Sequence, residues 1–112
     1  MSRFVTLANG AKMPQMGLGT LFLKDAKSIE HAITKVGYRH IDTASITMNE
    51  KEVGQAIKAS GVPREDMFVT TKLWHSQYAD PEAALRKSLK QLDMEYVDMF
   101  VVHWPANLFV KP

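Results

Sequence analysis

Cysteine is absent from the 112 residues. That excludes disulfides, thiolate zinc sites and cysteine nucleophiles, and it fits a reducing compartment. An excess of charge of one sign is also lacking: 14 Lys and Arg stand against 12 Asp and Glu, a formal net charge of +2. The basic residues are scattered between acids, so neither nucleic acid nor an anionic membrane surface is an expected partner. No apolar run approaches the ~20 residues of a membrane-spanning helix, and the start "MSRFVTLANGAK" lacks the apolar stretch of a secretion signal. A glycine-rich phosphate loop is missing too. "GLGTLF" carries two glycines of the dinucleotide fingerprint without the third, and no Walker A sequence occurs. His31, His40, His75 and His103 have no metal-ligand spacing. What remains, 46% hydrophobic and 23% charged, is the make-up of a soluble globular chain, read as cytoplasmic and as one domain or part of one.

The order of what is present is informative. Phe4 to Leu7, followed by Asn9-Gly10, predicts a hairpin turned by a pair that tolerates positive φ. "QMGLGT" (Gln15 to Thr20) reads as a short strand running into a loop. Ala26, Ile29, Ile33 and Val36 recur at helical spacing before Gly37, a helix stop. "YRHID" is the next strand. Asn49, with Glu52 three residues on, predicts a capping box for a helix with Val53, Ala56 and Ile57 inward and Gly61 at its end. "MFVTTKLW" (Met67 to Trp74) is a β-branched strand. Asp80-Pro81-Glu82 starts a helix with Leu85, Leu89 and Leu92 facing in. "YVDMFVVHW" (Tyr96 to Trp104) is the last strand. Strands alternating with helices predict an α/β fold of parallel strands, and apolar strands such as "MFVV" fit a sheet covered on both faces.

Asp42, Lys72 and His103 interrupt the strands near their C-terminal ends, one βα unit of about 30 residues apart. They therefore occupy equivalent positions, at the end where parallel α/β sheets bind ligands. Neighbouring parallel strands lie about 4.8 Å apart, close enough for three inward side chains to converge. Lysine against aspartate holds the carboxylate ionised, and a histidine beside them can donate to a carbonyl oxygen. Singly, each has a bland reading: a loop cap, a lysine reaching for water, a structural histidine. Their common period is what raises them together. Trp74 and Trp104 each follow a strand end and suit the wall of an apolar pocket. The seven methionines are dispersed and read as core filler.

"MPQMGLGT", "GYRHIDTA", "NEKEVGQAI", "REDMFVTTKLW" and "YVDMFVVHWP", in this order and spacing, resemble the aldo-keto reductases from Phe4 to Pro105. The resemblance implies the N-terminal half of a (β/α)₈ TIM barrel with an N-terminal β-hairpin cap and four parallel strands. It implies reduction of small aldehydes and ketones by NADPH. It places Asp42, Lys72 and His103 at three of four catalytic positions, Gly19, Thr20 and Asp42 beside the cofactor's nicotinamide end, and Trp104, with Trp74, at the substrate pocket. It also exposes two departures. The family's proton donor, a tyrosine five residues after the aspartate, falls on Thr47; His103 or a water held by Thr47 are the substitutes, and Tyr78 is a remoter one. The phosphate-gripping second half of the barrel is not in the sequence. The expectation is a truncated reductase with little or no activity. The rival expectation is a non-catalytic half-barrel that self-associates through the open edges of its sheet.

Overall fold

The computed structural model describes residues 3–106. The hairpin forms where predicted: β1 (Phe4–Thr6) pairs antiparallel with β2 (Lys12–Pro14). Its turn residues divide the work differently from the expectation. Only Gly10 takes positive φ, at 85°; Asn9 instead uses its side-chain Oδ1 to accept from the Ala11 N–H at 3.0 Å, the Asx-turn alternative.

Four parallel strands follow in the order β3 (Leu18–Gly19), β4 (His40–Asp42), β5 (Phe68–Leu73), β6 (Met99–Val102). Helices α1 (Ala26–His31), α2 (Glu50–Ser60) and α3 (Pro81–Leu92) connect them. This is the architecture of half a (β/α)₈ barrel, with β3 and β6 as its edges. His40 fixes which end the hairpin covers. It is the first residue of β4, its Nδ1 lies 3.2 Å from the Pro14 carbonyl and its Nε2 lies 3.0 Å from the Thr70 hydroxyl. A carbonyl can only accept, so Nδ1 carries a hydrogen and donates to Pro14. The hairpin is thereby tied to the N-terminal end of the sheet, leaving the C-terminal end open.

Between sheet and helices lies a core of Ile29, Ile33, Ile41, Val53, Ile57, Val69 and Leu92, all nearly or fully buried. Each such aliphatic side chain stabilises the fold by about 1.5–3 kcal/mol. Gly54 permits the closest approach in the helical layer: a Cβ there would lie 2.1 Å from the carbonyl oxygen of Leu92.

Four local expectations are corrected. Val36 is exposed, because α1 widens into a π-turn over Ala32–Val36 and the wider turn rotates Val36 off the buried stripe. On α3 the buried stripe is Ala84, Ser88 and Leu92, with Leu85 and Leu89 only half-buried beside it; small side chains let α3 lie close to its neighbours. The Asn49 side chain makes no cap hydrogen bond, so the capping box does not form; its amide has buried partners elsewhere. The "MFVV" strand is half-buried, with Val102 exposed, since an edge strand has a neighbour on one side only.

Candidate active site

Strand register sets the site. Gly19 pairs with Asp42, Asp42 with Thr70, and Lys72 with Val101. Asp42 thus ends β4 one pleat short of Lys72 on the adjacent strand. The Lys72 Nζ donates to Asp42 Oδ1 at 2.6 Å and to the Thr43 carbonyl at 3.0 Å. The lysine side chain is 20% exposed and the aspartate 39%, so water still screens the pair and its contribution to stability is modest. Its geometry is what counts: an ammonium is held still by two acceptors. The backbone of Asp42 is held as well, since the N–H and hydroxyl of Thr20 both donate to its carbonyl at 3.0 Å.

His103 follows β6, with its backbone N–H donating to the Leu73 carbonyl at 3.0 Å. Burial pushes its imidazole below the ordinary value, the Lys72 ammonium pushes the same way, and Asp42 partly opposes them. Near neutral pH the ring is therefore uncharged and presents one N–H and one lone pair. Its buried Nδ1 has no hydrogen-bond partner among the described residues. The Trp74 ring packs edge-on against His103 at 5.2 Å and tilted against Trp104 at 4.8 Å. Trp74 is itself anchored: Gln77 Oε1 accepts from its backbone N–H and from the Ser45 hydroxyl, each at 3.0 Å.

Eight of the residues singled out in the sequence line one cavity of about 400 Å³: Gly19, Thr20, Asp42, Thr47, Lys72, Trp74, His103 and Trp104. Leu21 and Ile46, which sequence reasoning passed over, line it too. Tyr78 does not; its hydroxyl donates to the carbonyl of Trp104. Thr47 lines the cavity without offering it a proton. Its hydroxyl sits 2.6 Å from the Ala44 carbonyl and 2.7 Å from Asn49 Oδ1, both acceptors that compete for its one hydrogen. Asn49 is the main residue missed. It is fully buried, and its place just before a helix hid it behind the ordinary capping role.

A Cβ at Gly19 would meet nothing within 4 Å, so the backbone there is open to a close-lying group. Lys72 is the one ammonium among the lining residues, and it is engaged by Asp42. Among the described lining residues the backbone at Gly19 is thus open, and no cation stands free of a partner.

A family model described as the aldo/keto reductase family matches residues 6–110. The chain belongs to the aldo/keto reductase family. It is 54% identical over 109 residues to the glycerol 2-dehydrogenase (NADP(+)) of Saccharomyces cerevisiae, covering 96% of this chain and 35% of that protein. An aldehyde reductase of the same yeast is 52% identical with the same coverage. Among solved structures, an aldo/keto reductase from Brucella melitensis superposes with a TM-score of 0.87 at 43% identity, covering 94% of this chain and 42% of that one. This aldo/keto reductase chain therefore spans about a third of the length of the curated relatives it matches. The half-barrel read from the sequence agrees with those shares. Among the described residues no helix is long and apolar enough to cross a membrane.

Proposed function

We propose that this chain carries the carbonyl-polarising part of an NADPH-dependent aldehyde and ketone reductase site, and that its own turnover is weak or absent. The carrying observation is the Lys72–Asp42 pair at 2.6 Å in one cavity with His103. NADPH, when bound, supplies the hydride. The residues here would do the rest of the work short of protonation. Gly19, Thr20 and Asp42 would lie beside the nicotinamide end. Trp74 and Trp104 would exclude water from the substrate. The uncharged His103 would donate one N–H to the carbonyl oxygen, and the Lys72 ammonium would stabilise negative charge developing there. The phenol proton that the family pattern calls for is what position 47 does not supply, since the Thr47 hydroxyl is committed internally; the alkoxide is left to His103 or to a water held by Thr47. A water held by Thr47 is a poorer donor.

Titration of the chain with NADPH, followed by cofactor fluorescence, tests the reading. Binding weaker than micromolar is expected, because among the described residues no free cation lines the cavity. Binding is expected to weaken further in Lys72→Met. Micromolar affinity that is indifferent to Lys72→Met would refute the assignment. A second reading, a non-catalytic half-barrel that pairs with another copy, is favoured by the half-buried edge strand β6. Light scattering separates the two: a monomer at all concentrations removes the paired form.

A further inference from the structure

Two walls of the cavity are carried by separate turns. Leu21, 60% exposed, lies in the turn closed by the Leu23 N–H donating to the Thr20 carbonyl at 2.9 Å. Ile46, 43% exposed, lies in the short 3₁₀ turn Ser45–Thr47. Each turn includes or is followed by a bulky residue held at positive φ, Phe22 at 66° and Met48 at 56°. Residues other than glycine stay in that region only where the surroundings over-determine them. Asn49 supplies the determination. Its Nδ2 donates to the Thr20 carbonyl at 2.5 Å and the Leu23 carbonyl at 2.9 Å. Its Oδ1 accepts from the Thr43 hydroxyl at 3.0 Å and lies 2.7 Å from the Thr47 hydroxyl, whose one hydrogen it shares with the Ala44 carbonyl. Both donors of the amide are thereby used, one on each side of Leu21. One buried side chain thus fixes the Leu21 turn relative to the Ile46 turn.

We propose that Asn49 is a positioning residue, holding Leu21 and Ile46 as apolar walls so that the site prefers carbonyl compounds with an extended apolar substituent. This rests on the carbonyl-binding reading above. The polar groups that recognise the carbonyl, Lys72 and His103, share the cavity with the apolar walls Leu21, Ile46, Trp74 and Trp104. A ligand that offers only polar groups leaves those walls in contact with water. One with an alkyl or aryl arm covers them, and the gain grows with the arm. The selection depends on wall spacing, which is what Asn49 controls.

The test is a series of methyl ketones, from acetone to 2-octanone, titrated against the chain and followed by fluorescence of its two tryptophans. Affinity is expected to rise with each methylene, by up to about fourfold where the group is fully buried. Leu21→Ser and Ile46→Ser, at exposed positions, are expected to fold and to flatten that rise. Asn49→Asp, which removes both donors to the Leu21 turn, is expected to flatten it likewise. Thr43→Val, nearly isosteric, removes one acceptor contact of Asn49 and is expected to flatten it in part. A residue with only a structural role would weaken every ketone by the same factor and leave the rise per methylene unchanged; that result in Asn49→Asp and Thr43→Val overturns the proposal. No rise in the unsubstituted chain also overturns it. The matching 2-alkanols keep the two ideas apart. If they bind as tightly as the ketones at every length, the carbonyl reading fails while the length dependence stands. If ketones are preferred but length has no effect, the reading stands and the role of the walls fails.

Discussion

Thr47→Tyr isolates the missing proton. The substitution is best made in a full barrel, with residues 1–112 continued by the remaining length of the yeast glycerol 2-dehydrogenase. In the unsubstituted chimera the Thr47 hydroxyl points its one hydrogen at the Ala44 carbonyl or Asn49 Oδ1, so the alkoxide has no side-chain donor from this position. A phenol titrates near pH ~10, and a lysine ammonium beside it lowers that further, whereas an aliphatic hydroxyl is a far weaker acid. General-acid catalysis contributes about 10²–10⁴-fold, or ~3–5 kcal/mol of barrier. The expected result is a rise in kcat of that order, with KM for the carbonyl changing little. Stability should fall slightly, since a hydrogen bond worth about 0.5–1.5 kcal/mol is lost. Asn49 Oδ1 is not orphaned, because Thr43 still donates to it. The assay is steady-state NADPH oxidation with an aldehyde, alongside Lys72→Met as a control that should abolish the gain. Equal kcat with threonine and tyrosine, at saturating cofactor, would show that proton supply does not limit this site.

Two further outcomes follow from the packing and the charges. Gly54→Ala should destabilise, although helix propensity alone favours alanine by about 1 kcal/mol. The added Cβ would meet the Leu92 backbone at 2.1, 2.7 and 3.0 Å, and overpacking against backbone costs about 1–3 kcal/mol or more; thermal melts should drop by roughly 5–15 °C, and an unchanged or raised Tm would contradict the close approach. His103 has a folded pKa below the ordinary imidazole value of about 6.5, so the unfolded chain binds more protons in the window between the two values. Stability should therefore rise with pH through that window and be constant above it. Melts of the chain and of His103→Gln across pH 5–8 should diverge only as pH falls below about 6.5, and parallel curves would refute the shift.

The reach of the sequence differs between the sheet and the site. Asp42, Lys72 and His103 were legible because strand-end positions recur with the βα unit, and parallel pairing then brings equivalent residues together whatever the details of the helices. Val36 was not legible, because its exposure depends on a π-turn that the apolar spacing does not encode. Nor was the α3 stripe: Leu85 and Leu89 satisfy the helical pattern as well as Ala84 and Ser88, and what favours the small residues is how closely α3 packs on its neighbours. Asn49 shows the limit most clearly. An asparagine before a helix with Glu52 three residues on satisfies a local rule completely. Only the arrival of the Thr20–Leu23 turn from 26 to 29 residues upstream offers its amide better partners than the helix end.

That same asparagine bears on what the threonine at position 47 means. Judged by the sequence alone, Thr47 is a deletion: a phenol is expected and a methyl and hydroxyl stand in its place. In the fold the hydroxyl is not idle. It lies between the Ala44 carbonyl and Asn49 Oδ1, and Asn49 holds the turn beside Thr20, whose hydroxyl and N–H hold the Asp42 carbonyl. The substitution therefore withdraws a proton from the cavity and spends it on the frame around the charged pair. On the proposed reading, polarisation and protonation of a carbonyl are separable demands, the first falling to Lys72 with His103 and the second to the residue at 47. A site that keeps the first and lacks the second should bind carbonyl compounds better than it reduces them. Ligand affinity should consequently depend on Lys72 and Asn49 even where turnover is too slow to measure.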